Sequence, residues 1–184
     1  LFEPLGIEID KYKTLVRSIY SVSMGLGGDS SMDIVNGEIL IGPERKGRPY
    51  ALGGPHPTPT DAMICLGLID MKDLSIRERA RDIIGRLGQE LNLSPEDTSN
   101  LILQTMAKKI REKTDQLLLE INSKPVYTVR ELLHGKKLQP KSINLIGGPA
   151  SALAPILEEK YNLPCKVPDN YHVANALGAA LAKP

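Results

Sequence analysis

Tryptophan is absent from this chain of 184 residues and phenylalanine occurs once, at Phe2. With aromatics so scarce, the composition argues against a stacking platform for nucleic-acid bases. Charge of one sign is missing too: 23 Lys and Arg stand against 22 Asp and Glu, a formal net charge of +1. That balance argues against the basic stripe of a nucleic-acid binder and against a polybasic membrane patch. Apolar runs such as Leu117 to Leu119 are far too short to span a bilayer. Cysteine is scarce: Cys65 and Cys165 stand far apart in apolar surroundings and read as two buried reduced thiols. His56, His134 and His172 are isolated, so no Cys/His spacing suggests zinc. No signal peptide is visible, and with the cysteine usage this predicts a cytoplasmic protein. The first residue is Leu1 rather than Met, and the expectation is a piece of a longer protein.

What is present falls into three stretches. Residues 1–60 read as strands and loop, 61–135 as a mainly helical insertion, and 136–184 as a return to an α/β core. In the first, "RSIYSVSM" (Arg17 to Met24) alternates like a buried strand. "SMDIV" and "EILIG" flank Asn36-Gly37, a hairpin signal because both turn residues tolerate positive φ. The Gly- and Pro-dense stretch after Gly42 predicts a long ordered loop. In the second, a short helix opens at Thr60 or Asp61. Another, capped by Ser75, turns Ile76, Ala80, Ile83, Ile84 and Leu87 to one side. Ser94, Pro95, Glu96 and Asp97 begin a helix of nearly thirty residues, on which "KKIREK" reads as a solvated face. In the third, strand, helix, strand and helix follow from Ser142, which implies parallel crossovers. Three antiparallel strands, a helix, an insertion and two crossovers describe an α/β fold with a mixed sheet, a ribonuclease-H-like lobe carrying an inserted helical subdomain.

Two glycine clusters then stand where ligand-lining loops of such sheets occur. "MGLGGDSSMDI" contains Gly25, Gly27 and Gly28, which permit close backbone approach. The amides of Gly28, Asp29, Ser30 and Ser31 could form an anion nest, with the serine hydroxyls as further donors. Asp29 repels phosphate unless it holds a cation, and oxygen ligands of that kind suit Mg²⁺. The plain alternative is a tight hairpin with no ligand. Gly147, Gly148 and Pro149 end a strand and start a helix, either as a tight turn or as room for a flat group. Asp61 is a helix N-cap or, in a sharper reading, a substrate or metal contact. Glu44 is a loop acid suited to pairing with Arg45 or Arg48, and His56 is an exposed loop residue.

The segment "INLIGGPASALAPILEEKYNLPCKVPDNYHVANALGAALA" resembles the adenosine-contacting end of the actin, sugar-kinase and heat-shock chaperone ATPase superfamily. "SMGLGGDSSMDIVNGEILIGPERKGRPYALGGPHPTPTDAMICLGLID" narrows this, being similar to the ATP-dependent hydantoinase/5-oxoprolinase family, with acetone carboxylases as relatives. Ser23, Gly25, Gly27, Gly28, Ser30, Gly42, Pro43, Glu44, Thr58, Thr60, Asp61, Ala62, Leu66 and Gly67 fall on that pattern. Two features depart from it: Asp29 stands where a third glycine is usual, and no Asp-x-Gly-Gly-Thr phosphate loop precedes Gly25.

The resemblance implies the C-terminal lobe of an enzyme that uses ATP and Mg²⁺ or another divalent cation to phosphorylate a cyclic amide or ketone oxygen. It implies an adenosine seat at Gly147, Gly148, Pro149 and Asn175, and a phosphate cradle at Gly27, Gly28 and Ser30, with Gly25 and Asp29 beside it. Asp29 is the metal candidate and Asp61 the substrate candidate, while no residue is singled out as catalytic. A missing N-terminal lobe or second subunit would complete the cleft, and the lobe alone is expected to be inactive. The alternative within the superfamily is an ATP-driven reactivating or remodelling factor, for which the long helix would be a docking surface.

Overall fold

The computed structural model describes residues 2–3, 8–9, 12–14, 18–123 and 137–181. Arg17 of the expected first strand, residues 124–135 of the expected insertion and His134 lie outside them. The chain is an α/β protein, and among the described residues its strands form four two-stranded ladders rather than one continuous sheet. Strands β1 (Phe2–Glu3), β2 (Glu8–Ile9), β3 (Tyr12–Lys13) and β4 (Ser18–Ile19) pair antiparallel as β1–β4 and β2–β3. The strand expected through Met24 is therefore cut to Ser18–Ile19, and Val22 and Met24 are exposed. Alternation gives that segment one apolar face, but a strand is stabilised by cross-strand neighbours and a covered face. Ser21 to Met24 ladder with no strand among the described residues.

The hairpin forms as expected. β5 (Met32–Val35) and β6 (Glu38–Ile41) pair antiparallel, with Met32 opposite Ile41 and Val35 opposite Glu38. Asn36 and Gly37 take φ of 54° and 78°, the mirror-image turn that matches strand twist. Ile39 and Ile41 are buried while Glu38 and Leu40 are exposed, the period of two that turns one face inward.

The core lies between that face and four helices: α1 (Pro59–Cys65), α2 (Leu74–Gln89), α3 (Pro95–Ser123) and α4 (Ala150–Tyr161). Every residue of α1 from Asp61 to Cys65 is buried, which makes this short helix the hub for α2 and α3. On α2 the cap is Asp73, not Ser75: its carboxylate accepts from Ser75 N–H at 2.9 Å, leaving Ser75 in the first turn. Ser94 caps α3 as expected, its Oγ accepting from Asp97 N–H. The "KKIREK" run, however, is not simply solvated. Lys109 Nζ donates to Ile41 O at 2.6 Å, fastening α3 to the hairpin. Arg111 lies 4.8 Å from the centroid of the Tyr161 ring and donates to Lys160 O, fastening α3 to α4. These contacts join elements far apart in sequence, so helix periodicity cannot reveal them.

The C-terminal part follows the crossover pattern. β7 (Ile143–Asn144) and β8 (Cys165–Lys166) pair in parallel, Ile143 with Cys165, and α4 links them. A last helix, α5 (Ala174–Leu181), buries none of its residues. No described helix is long and apolar enough to cross a membrane.

Candidate functional site

The glycine-rich loop closes on itself as a β-turn. Ser30 N–H donates to Gly27 O at 3.2 Å, and Ser30 Oγ accepts from Gly27 N–H at 2.9 Å. Ser31 N–H donates to Glu44 O at 2.8 Å. The expected four-amide nest is thereby halved, because the amides of Ser30 and Ser31 are committed to carbonyls. Those of Gly28 and Asp29 have no acceptor among the described residues. Ser30 itself is buried and its Oγ accepts from Gly27 N–H, so the side chain supports the turn while its own O–H has no acceptor among the described residues.

The turn is held from below by α1. Thr60 donates twice to Gly28 O, from its N–H at 2.8 Å and its Oγ1 at 2.9 Å. A Cβ at Gly28 would lie 2.6 Å from that Oγ1, so the close approach requires glycine here. Thr60 is set in turn by Asp61, which is fully buried. Its Oδ2 accepts from Thr58 N–H at 2.8 Å, Thr58 Oγ1 at 2.9 Å and Tyr50 N–H at 3.1 Å. Its Oδ1 accepts from Ala51 N–H at 2.8 Å. This corrects the expectation of a substrate contact: four donors and complete burial leave Asp61 no surface for one. α1 also starts earlier than expected, at Pro59 with Thr58 as N-cap, and Asp61 occupies its third position. What Asp61 does is order the Gly- and Pro-rich loop, whose 3-10 turn (Tyr50–Leu52) hangs from its carboxylate.

The second cluster reaches the same place. Gly27, Gly28, Asp29 and Ser30 line a cleft of about 730 Å³, and Gly148 and Pro149 line the same cleft. Met63, Leu68 and Ile69 form an apolar floor, and Tyr171 joins from the turn before α5. Gly147 sits one residue behind this wall. It takes φ of 102°, and its N–H donates to Tyr171 O at 2.8 Å, tying the end of β7 to the Tyr171 turn. Tyr171 OH in turn donates to Ser151 Oγ in the first turn of α4. The N-terminal end of α4 therefore borders the cleft and brings the partial positive charge of a helix start.

Gly27 and Gly148 differ from their neighbours. Neither has a positive φ, and a Cβ on either would meet nothing within 4 Å. Glycine costs about 0.5–1 kcal/mol against alanine where no conformation demands it. At these two cleft positions nothing inside the described chain demands it. Both therefore look outward, leaving backbone bare to whatever enters.

Two further expected site residues, Gly25 and Asn175, stand away from the cleft lining. Gly25 does not line the cleft: a Cβ there would lie 2.3 Å from Pro43 Cβ, so packing against Pro43 accounts for it. Asn175 lies exposed on α5, away from the cleft lining. Asp29 lines the cleft, but its Oδ2 accepts from Arg45 Nη2 at 2.6 Å. Arg45 thus pairs with Asp29 and not with Glu44, whose carbonyl is the part in use. Among the described residues no group of three His, Cys, Asp or Glu gathers to hold a metal ion. Arg45, Asp70 and Tyr171 complete the cleft without any linear signal, since they come from three loops that meet only in the folded chain.

A bare-backbone turn, two free amides, a helix start and an apolar floor suit a ligand with an anionic chain and a flat apolar part. No curated protein matches this sequence. A family model described as hydantoinase/oxoprolinase matches residues 5–184.

Proposed function

Since this chain belongs to the hydantoinase/oxoprolinase family, we propose that it is an actin-like ATPase lobe of an ATP-dependent enzyme acting on a cyclic amide or a ketone. The antiparallel hairpin followed by a helix, and the parallel β7–α4–β8 crossover, support that assignment of the lobe. One observation carries the nucleotide reading. Gly27 and Gly148, with no internal need for glycine, both bring bare backbone to the lining of a single cleft.

Within this reading Gly27 lets a phosphate chain approach the turn, and the amides of Gly28 and Asp29 donate to its oxygens. The start of α4 adds its dipole. Gly148 and Pro149 seat the adenosine against Met63 and Leu68, with Tyr171 closing the edge. Thr60 and Asp61 keep the turn in register. A divalent cation travelling with the phosphates would find Asp29 and Asp70 as the carboxylates of the cleft, and Mg²⁺ commonly takes only one or two. Bound ATP would supply the phosphoryl group that makes a poor oxygen leaving group a good one. A second lobe or subunit would cover the solvent side, where Arg45 and Ser151 are exposed.

The test is Gly27→Ala and Gly148→Ala in the full chain, read by ATP binding and by thermal unfolding. Each variant should keep or slightly raise the melting temperature, because alanine fits both backbones, while ATP affinity falls at least tenfold. Equal ATP affinity in both variants would refute the nucleotide cleft. A panel of a hydantoin, 5-oxoproline and a ketone should then raise ATP turnover of the complete enzyme with one of them. Flat turnover across the panel, with stimulation by a damaged partner enzyme, would favour a remodelling factor.

A further inference from the structure

We propose that Arg45 is the side chain that grips the phosphate chain in this cleft, held ready on Asp29, an inference that rests on the nucleotide reading above. The turn at Gly28 and Asp29 offers two unpartnered amides, yet an anion reaching them meets the carboxylate of Asp29. A cation must stand there for the site to accept an anion at all. Arg45 is that cation: its Nη2 donates to Asp29 Oδ2 at 2.6 Å, and both residues line the cleft.

Two further observations separate this from an ordinary surface pair. The Arg45 side chain is 68% exposed and its guanidinium has no second partner among the described residues, so most of its donors are uncommitted. Its backbone, by contrast, is well placed. Ser31 N–H donates to Glu44 O at 2.8 Å and Gly42 N–H donates to Ser31 O at 2.9 Å, which pins the chain next to Arg45 against the exit of the turn. An exposed pair of this kind contributes little to stability. A fixed backbone carrying a loosely held guanidinium is instead suited to swing from a carboxylate to phosphate oxygens, which its planar fork fits in pairs. Asp29, which stands where the resemblance has a third glycine, becomes the residue that parks it.

The experiment measures binding of ATP, adenosine and inorganic tripolyphosphate to the full chain in EDTA, for wild type, Arg45→Gln and the Asp29→Asn/Arg45→Gln double variant. Arg45→Gln should lose at least tenfold in affinity for ATP and tripolyphosphate and none for adenosine, and the double variant should stay as weak. Undiminished ATP binding by Arg45→Gln would overturn the proposal. So would recovery of wild-type affinity in the double variant, since Arg45 would then only neutralise Asp29. Wild type binding tripolyphosphate through Arg45 but not adenosine would sink the nucleotide reading and leave Arg45 standing. Wild type binding none of the three would overturn both. Both side chains are solvent-accessible, and unchanged melting temperatures would exclude misfolding as the cause.

Discussion

Replacing Asp61 should be the most damaging single change to the support of the cleft, although Asp61 never touches it. Its carboxylate is fully buried and accepts four hydrogen bonds, three at Oδ2 and one at Oδ1. Asp61→Asn keeps the shape but must turn an NH₂ group toward at least one donor. The cheapest orientation places it at Oδ1, facing Ala51 N–H, which loses one bond and strands one buried donor. A stranded buried polar group costs about 1–3 kcal/mol, so about 2 kcal/mol is expected. Asp61→Ala strands three backbone N–H groups, while the Thr58 hydroxyl can turn elsewhere. Partial relaxation of the loop lowers the sum, and about 4 kcal/mol is expected. Urea unfolding of the full chain measures this directly. With a slope of about 2 kcal/mol per molar, the midpoints should fall by about 1 M and about 2 M. An Asp61→Asn midpoint within 0.2 M of wild type would show that the four bonds do not hold the Tyr50–Thr58 loop as described.

Two other outcomes follow from the same geometry. Gly28→Ala should cost about 1–3 kcal/mol because its Cβ would meet Thr60 Oγ1 at 2.6 Å, and Thr60→Ala in the same chain should recover part of that loss in urea melts. Burial, with the nearby Glu158 carboxylate a smaller cause, pushes the Cys165 thiol above the usual range. Less thiolate is then present at any given pH. Maleimide labelling of Cys165 should be slower at pH 8 than that of a free thiol and keep rising where the free thiol has levelled off, while buried Cys65 should label only on unfolding.

The local rules of the chain were readable in order. Asn36-Gly37 announced a hairpin because few residues tolerate positive φ twice in succession. Ser94 and Pro95 announced the start of α3, and the strand–helix–strand run from Ser142 announced a parallel pair. Each depends on neighbours within a few residues, which a sequence carries. Cap position was less legible: Asp73 and Thr58 did the work expected of Ser75 and Asp61, because several nearby side chains can compete for the same amides.

The site shows the limit most clearly. Both glycine clusters were visible in the sequence, and so was their capacity for bare backbone. Which glycines face a ligand was decided only by packing: Gly25 is filled by Pro43, Gly28 by Thr60, and Gly27 and Gly148 by nothing. Asp61 as a buried hub, and Arg45 as the partner of Asp29, depend on residues about ten and sixteen positions away being folded into reach. Spacing along a chain records what a backbone can do locally; which polar group is buried, paired or left open is settled by the elements that close around it.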